Sequence, residues 1–369
     1  MASPAQLRVT GSPQFHDSAT TANIMWAVTA CLVPAAAWGV YVFGLSALVV
    51  LLVSVASCVV FELLLAKIFN RFTIGDGSAV LTGLLIGMNM PPALPLYIPV
   101  AASAFAIGVV KWTFGGLGGN WMNPALAGRA FVFFSWTGDM TRWQLPRTLP
   151  AVDAIGSATP LGFVKTSLAG GSEAAAGPID LMRGAGYPVS VTDSAVTEWL
   201  NGNLLNPLGI EMPTGYIDPF LGNIPGCIGE VSAALLLLGS IYLIAKRIVP
   251  WEIPTAYFVS FGLLVWVFGG TRFGLGPFQG DVLFHMFTGG FMLGAFYMAT
   301  DMVTTPFTTR GMLIFGVGVG LLTFLIRFFG SFPEGVSLAV LLMNIFVPII
   351  NRYTKPKRFG QTAAAKEAS

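Results

Sequence analysis

Residues 45–67 read L-S-A-L-V-V-L-L-V-S-V-A-S-C-V-V-F-E-L-L-L-A-K, a run whose only charge before the terminal Lys67 is Glu62. A helix of about 20 apolar residues crosses the roughly 30 Å of hydrocarbon in a bilayer, and lipid tolerates only structures that satisfy every backbone polar group internally. This run therefore sets the fold class as a helical membrane protein. Further stretches near 22–43, 95–115, 228–246, 251–269, 281–300 and 311–329 are long and apolar enough to cross, and shorter ones near 77–91, 121–137 and 334–350 suit broken or tilted spans. The expectation is an all-α polytopic membrane protein with about ten transmembrane helices. Composition agrees: the 369 residues are 54% hydrophobic and 10% charged, against roughly 25% charged in soluble domains.

Basic residues orient the chain. With a cytoplasmic N-terminus, ten alternating spans place Arg8, Lys67, Arg71, Lys111, Lys246, Arg247, Arg310, Arg352, Lys355, Lys357, Arg358 and Lys366 inside, and Arg142, Arg147, Lys165, Arg183 and Arg272 outside. The positive-inside rule favours that arrangement, with both termini cytoplasmic. The expected organisation is a cytoplasmic N-terminal segment 1–21, a first transmembrane repeat 22–137, an extracytoplasmic loop 138–227, a second repeat 228–350 and a basic tail 351–369. The first twenty residues are polar, carry Arg8 and do not read as a cleaved signal peptide. The two apolar halves echo each other: Gly75-Asp76 precedes Thr82-Gly83, and Gly280-Asp281 precedes Thr288-Gly289. Five spans per half give inverted repeats, in which helices broken near the midplane line a central site; chance similarity between Gly-rich segments is the competing reading.

Several chemistries are disfavoured. Cys31, Cys58 and Cys227 are the only cysteines and form no CxxC, so neither a disulfide framework nor a self-contained zinc or iron-sulfur site is expected. His16 and His285 are the only histidines, which argues against transmembrane haem. A net charge of +2 carries little information in a membrane chain, and no nucleic-acid partner is expected.

The loop Asp153–Leu161, D-A-I-G-S-A-T-P-L, lies in the longest water-compatible stretch. Pro160 biases Thr159 towards extended backbone, and the small residues before it leave its hydroxyl approachable. An exposed, accessible threonine is expected, with a plain Gly/Ser/Pro turn as the alternative. The run Gly115-Gly116-Leu117-Gly118-Gly119-Asn120-Trp121-Met122-Asn123-Pro124 links two spans. It permits close approach of a flat ligand whose edge two carboxamides read, or it is a tight membrane turn. It lacks the Lys-Ser/Thr of a phosphate loop. Arg129, inside a span, needs a partner or an anionic ligand, since an unpaired arginine there costs about 2.5–3.5 kcal/mol. Glu62 and Asp301 are intramembrane carboxylates, candidates for handling sodium or protons, with salt bridges or helix capping as the alternative. Asp76 and Asp281 read as helix N-caps, and Gly316, Gly318 and Gly320 as a close helix-packing face.

Together these motifs resemble a known family. Ser12-Pro13-Gln14-Phe15-His16, the G-G-L-G-G-N-W-M-N-P-A-L-A-G-R-A-F run Gly115–Phe131, the Asp153–Leu161 loop and F-Y-M-A-T-D-M-V-T-T-P from Phe296 to Pro306 are similar to RnfD, a membrane component of the Rnf ion-translocating ferredoxin:NAD oxidoreductase. That family is shared with NqrB of the sodium-translocating NADH:quinone reductase (Nqr). The resemblance implies FMN carried covalently on Thr159 through a phosphoester installed by a flavin transferase. It also implies a second, non-covalent flavin, riboflavin, at Asn120 and Asn123. Asp153, Ser157 and Ala158 belong to the transferase's recognition sequence, although Gly156 occupies the position where that sequence usually has a hydroxyl and Ser157 follows it. Arg129 would stabilise a reduced flavin, and Glu62 and Asp301 would couple redox change to sodium or proton movement. Implied partners are the other Rnf components, RnfA, RnfB, RnfC, RnfE and RnfG, especially the flavoprotein RnfG, in the bacterial cytoplasmic membrane. A quinone-reducing NqrB and a urea-type solute channel remain the alternatives.

Overall fold

Helix α1, Thr21–Phe43, starts where the Thr20 side chain accepts from the Asn23 N–H (3.2 Å) and ends at Gly44, whose φ of 84° turns the chain directly into α2, Leu45–Ile68. The computed structural model describes residues 20–71, 73–149, 158–169, 176–230, 232–332 and 334–356. Among them every regular element is helical. Shorter apolar helices follow: α3, Ser78–Met88; α4, Tyr97–Ala104, which continues as wider π turns over Phe105–Trp112; and α5, Pro124–Ser135. Small helices occupy the long connection: α6, Thr137–Met140; α7, Pro160–Ala169; α8, Pro178–Gly184; α9, Val191–Leu200; and α10, Ile217–Leu221. The second apolar half holds α11, Ala233–Ala245; α12, Glu252–Phe268; α13, Val282–Phe287; α14, Phe291–Leu293, with a π turn to Met298; α15, Thr309–Phe329; and α16, Val336–Thr354.

Five helices among the described residues, α1, α2, α12 with the turn that extends it to Phe273, α15 and α16, are long and apolar enough to cross a membrane. The chain is thus polytopic by length and composition. Three expected spans take a different form. The run 281–300 is not continuous: Asp281 caps α13 by accepting from the Phe284 N–H (3.0 Å), and the helix stops at Thr288-Gly289-Gly290. Gly289 and Gly290 have φ of 65° and 67°, the left-handed region that ends helices and that glycine enters without strain. The run 228–246 turns helical only at Ala233, after the Ser232 cap. Before it, the Ile228 and Gly229 N–H groups donate to the carbonyls of Met90 (3.1 Å) and Met88 (2.7 Å), so irregular backbone is satisfied by protein rather than lipid. The run 334–350, expected to be short or broken, is an unbroken helix of 19 residues.

Packing explains the glycine face of α15. A Cβ on Gly316 would lie 2.7 Å from both the Ile253 carbonyl oxygen and Ala256 Cβ, and one on Gly320 would collide with Ser260 Oγ. Both positions let α15 lie directly on α12. Gly316→Val is expected to lower stability by about 1–3 kcal/mol, the usual cost of overpacking, read as a lower thermal midpoint of the solubilised protein. An unchanged midpoint would contradict the close approach.

In the connection, two buried carboxylates organise the backbone. Asp193 accepts from the N–H groups of Gly215 (2.8 Å) and Asp218 (2.9 Å), and Asp218 accepts from the Ser190 N–H (2.8 Å). Burial raises the Asp218 carboxyl above its ordinary range, opposed by the Ser190 hydrogen bonds.

Candidate functional site

Thr159 stands at the start of α7. Its Oγ1 accepts from the Gly162 N–H (3.0 Å) and its carbonyl from the Phe163 N–H (2.8 Å), so it caps the helix that Pro160 begins. The open threonine expected from the sequence is corrected here: Thr159 is only 6% exposed. The cap bond turns its hydroxyl inward, and the Tyr187 hydroxyl fixes the preceding residue by donating to the Ala158 carbonyl (2.8 Å). Asp153 and Ser157 lie outside the described residues.

Leu161, Val164, Lys165 and Leu168, spaced as one helix face, line a cavity of about 290 Å³ that Arg272, His285, Arg327 and Phe328 also border. Lys165 Nζ donates to the carbonyls of Arg327 (3.1 Å), Gly330 (2.6 Å) and Phe332 (2.8 Å). Arg327 donates to those of Thr288 and Gly289 (both 2.9 Å), and Arg272 to that of Phe328. These cations satisfy carbonyls that helix ends leave free, yet none forms an ion pair among the described residues. Burial, with Arg272 and Arg327 nearby, holds the Lys165 ammonium below its usual range. Both imidazole nitrogens of buried His285 lack a partner among the described residues.

The second group forms at the glycine-rich turn. Gly115, Gly116 and Gly118 have φ of 106°, 95° and 93°, and a Cβ on any of them would meet nothing within 4 Å. The glycines thus serve backbone conformation rather than close packing. Asn123 is committed to structure: Oδ1 caps α5 by accepting from the Ala125 (3.0 Å) and Leu126 (3.3 Å) N–H groups, and Nδ2 donates to the Met298 carbonyl (3.2 Å). Asn120 is buried, and its Oδ1 has no partner among the described residues. Both asparagines line a cavity of about 80 Å³ together with Lys111, Leu117, Thr300 and Asp301. Asp301 accepts from the Thr304 hydroxyl (3.0 Å) and has no cationic partner among the described residues. The fold therefore brings Asp301, read separately from sequence, to the cavity of the Asn120–Asn123 pair.

Glu62 is not free to take an ion in this arrangement. It pairs with Lys111 Nζ at 2.9 Å, both side chains 1% exposed, and also accepts from the Thr73 hydroxyl (2.6 Å) and Trp112 Nε1 (3.0 Å). Lys111 further donates to Ser78 Oγ (2.7 Å), which donates to Asp76 (2.6 Å). The salt-bridge alternative holds for Glu62. Lys111, counted on the cytoplasmic side near the end of the run 95–115, is an internal ion-pair partner.

Arg129 lies with carboxylates rather than beside Asn120. Nη2 is 2.5 Å from Glu334 Oε2 and 3.8 Å from Glu230 Oε1, and Nη1 donates to Ser337. The sequence shows that Arg129 needs a partner but identifies neither carboxylate. Glu230 is itself a carboxylate near the start of an apolar run, the same signal that singled out Glu62.

Known proteins share this sequence over nearly its whole length. A model of the NQR2, RnfD, RnfE family matches residues 8–360. The chain is 41% identical to the D component of the proton-translocating ferredoxin:NAD(+) oxidoreductase complex of Clostridium ljungdahlii, covering 95% of this chain and 96% of that protein. It is 39% identical to the D component of the Na(+)-translocating ferredoxin:NAD(+) oxidoreductase complex of Acetobacterium woodii, with 98% of each covered. It is 36% identical to the D component of the ion-translocating oxidoreductase complex of Stutzerimonas stutzeri, with 93% of each covered.

Proposed function

The chain belongs to the NQR2, RnfD, RnfE family, and from that premise we propose that it is the flavin-carrying electron-transfer component of an Rnf-type ferredoxin:NAD oxidoreductase. In this reading FMN is esterified to Thr159, and riboflavin binds without a covalent bond beside Asn120. A component of this kind is part of an ion-translocating oxidoreductase, not a complete enzyme. The names of its relatives favour Rnf over the quinone-reducing alternative, and family membership sets aside the solute channel.

The observation that carries the reading is the pairing of Thr159 with the cationic cavity on its own helix. The cap bond uses a lone pair of Oγ1, and among the described residues the O–H donates to no acceptor. Esterification replaces that hydrogen with phosphorus, and the oxygen can still accept from the Gly162 N–H. Three cations and an imidazole, with no carboxylate partner among the described residues, border a cavity whose lining on α7 begins at Leu161, two residues after Thr159, and suit an anionic group there. Because Thr159 is buried, the transferase must meet the loop in a more open arrangement. When bound, flavins accept one or two electrons and so divide a two-electron donor's output into single steps; the protein supplies position and electrostatics. Lys165, Arg272 and Arg327 would hold negative charge there, and His285 would offer a hydrogen bond.

For the second flavin, the Asn120 Oδ1 supplies a hydrogen-bond group in a mainly apolar wall. The cavity of about 80 Å³ is below the roughly 300 Å³ of ligand pockets. The turn holding Gly115, Gly116 and Gly118, where an added Cβ would meet nothing within 4 Å, must therefore move outward to admit a ring system. Asn120→Leu removes one hydrogen bond, about 0.5–1.5 kcal/mol. Flavin released by denaturation should then bind roughly two- to tenfold more weakly, while the covalent fraction stays unchanged. Unaltered affinity would count against Asn120.

The same reading takes the topology as about ten crossings in two inverted halves, with both termini cytoplasmic and Thr159 outside. The shorter helices α3, α4, α5 and α11 and the broken α13–α14 supply the remaining crossings. RnfG and a flavin transferase are the partners this placement needs. Asp301, which lines the second cavity without a cation among the described residues, is the better of the two ion-coupling candidates.

A further inference from the structure

Glu230, Glu334 and Arg129 meet in a contact between α5, the start of α16 and the irregular stretch before α11. One oxygen of Glu230 and one of Glu334 lie within 4.8 Å of each other and of Cys227 Sγ. The Arg129 guanidinium contacts Glu334 Oε2 at 2.5 Å, which makes Glu334 the ionised member. Its distance to Glu230 Oε1 is 3.8 Å, too long for a hydrogen bond. Glu230 Oε2 accepts from the Cys227 N–H (3.5 Å), whereas Oε1 is buried with no donor among the described residues, and so is Glu334 Oε1. The Glu230 side chain is 4% exposed.

We propose that this cluster is a proton-binding site, in which one proton resides on Glu230 Oε1 and is shared towards Glu334 while Arg129 balances the remaining carboxylate. Two carboxylates this close in a desolvated place do not both stay ionised beside one hydrogen-bonded cation. Among the described residues the other charged group facing them is Arg327, on α15. It approaches from Gly289 while Glu230 approaches Gly290, and its amino groups are engaged by the carbonyls of His285, Thr288 and Gly289. Cys227 contributes a neutral thiol 3.6 Å from Arg129 Nη2. A metal ion is disfavoured: hard cations take six or more oxygens, two free carboxylate oxygens are present, and a guanidinium fills the remaining side. Protonation is a simple gain of H⁺ at Oε1, which turns an orphaned acceptor into a donor. The assignment does not depend on where either flavin sits.

Infrared spectroscopy of the full chain in its complex, reconstituted in lipid, tests this. At neutral pH a carboxylic-acid C=O band is expected that shifts down in D₂O, disappears in Glu230→Gln and persists in Asp301→Asn. Glu334→Gln should also remove it, because Glu230 then ionises as the sole partner of Arg129. If Glu230→Gln does not accumulate, Glu230→Asp should move the band rather than abolish it. A band unchanged by all Glu230 and Glu334 variants would overturn the proposal. Its loss on replacing choline with sodium at constant ionic strength would overturn it too, by making sodium the occupant.

Discussion

Thr159→Val is expected to abolish the ultraviolet fluorescence of the denatured, solvent-washed chain, while the protein still accumulates and remains monodisperse. The all-or-none effect arises because valine keeps the shape and removes the only oxygen in the side chain. The structural cost is separable: losing the hydrogen bond from the Gly162 N–H removes one N-cap, about 0.5–2 kcal/mol. Thr159→Ser keeps both the cap and a hydroxyl and should retain flavin. Expression must include a competent flavin transferase, with the wild-type chain as the positive control. Fluorescence that survives in Thr159→Val would place the tether on another residue.

The second large effect concerns the buried pair Glu62–Lys111. Removing one partner leaves an uncompensated charge inside, a loss of about 3–5 kcal/mol. Glu62→Gln leaves Lys111 with neutral acceptors only, the new carboxamide oxygen and Ser78 Oγ, and Lys111→Met leaves Glu62 with the Thr73 and Trp112 donors but no cation. Each variant should lower the thermal midpoint sharply. The double variant should recover most of the loss, since a neutral, space-filling pair replaces a charged one. Strictly additive losses would show that the two residues act independently and would contradict the pairing.

The contrast between Glu62 and Asp301 explains what the sequence can convey. Span positions were legible because they depend on local composition: the run read at 45–67 is the helix Leu45–Ile68, and that read at 311–329 is Thr309–Phe329. The break at Thr288-Gly289-Gly290 was harder to read, since one apolar run hides a turn that depends on two adjacent left-handed glycines. Start points such as Ala233 depend on where the preceding backbone finds acceptors, and those are Met88 and Met90 on a distant segment. Side-chain partners were least legible. Lys111 reaches Glu62 across 49 positions, and Arg129 reaches Glu334 across 205. A single sequence shows that a buried charge needs a partner, but not which one. The shared cavity of Asn120 and Asp301 is of the same kind, because the turn and the end of the broken segment are joined by the Asn123–Met298 bond across 175 positions.

The exposure of Thr159 was misjudged for a related reason. Proline and small neighbours make a hydroxyl approachable in an isolated loop, but the same Pro160 begins a helix, and a threonine before a helix turns inward to cap it. Burial and modification are compatible, because Oγ1 is the acceptor in the cap bond and an ester oxygen can fill that role as well.

Mass spectrometry of the tryptic peptide Thr148–Lys165 from the wild-type chain, matured with its transferase, tests the central claim most directly. The peptide should carry the mass of one FMN less one water, and fragments that begin at Thr159 should retain that increment. An unmodified peptide, or an increment confined to fragments ending at Ser157, would contradict the assignment of Thr159 as the flavin tether.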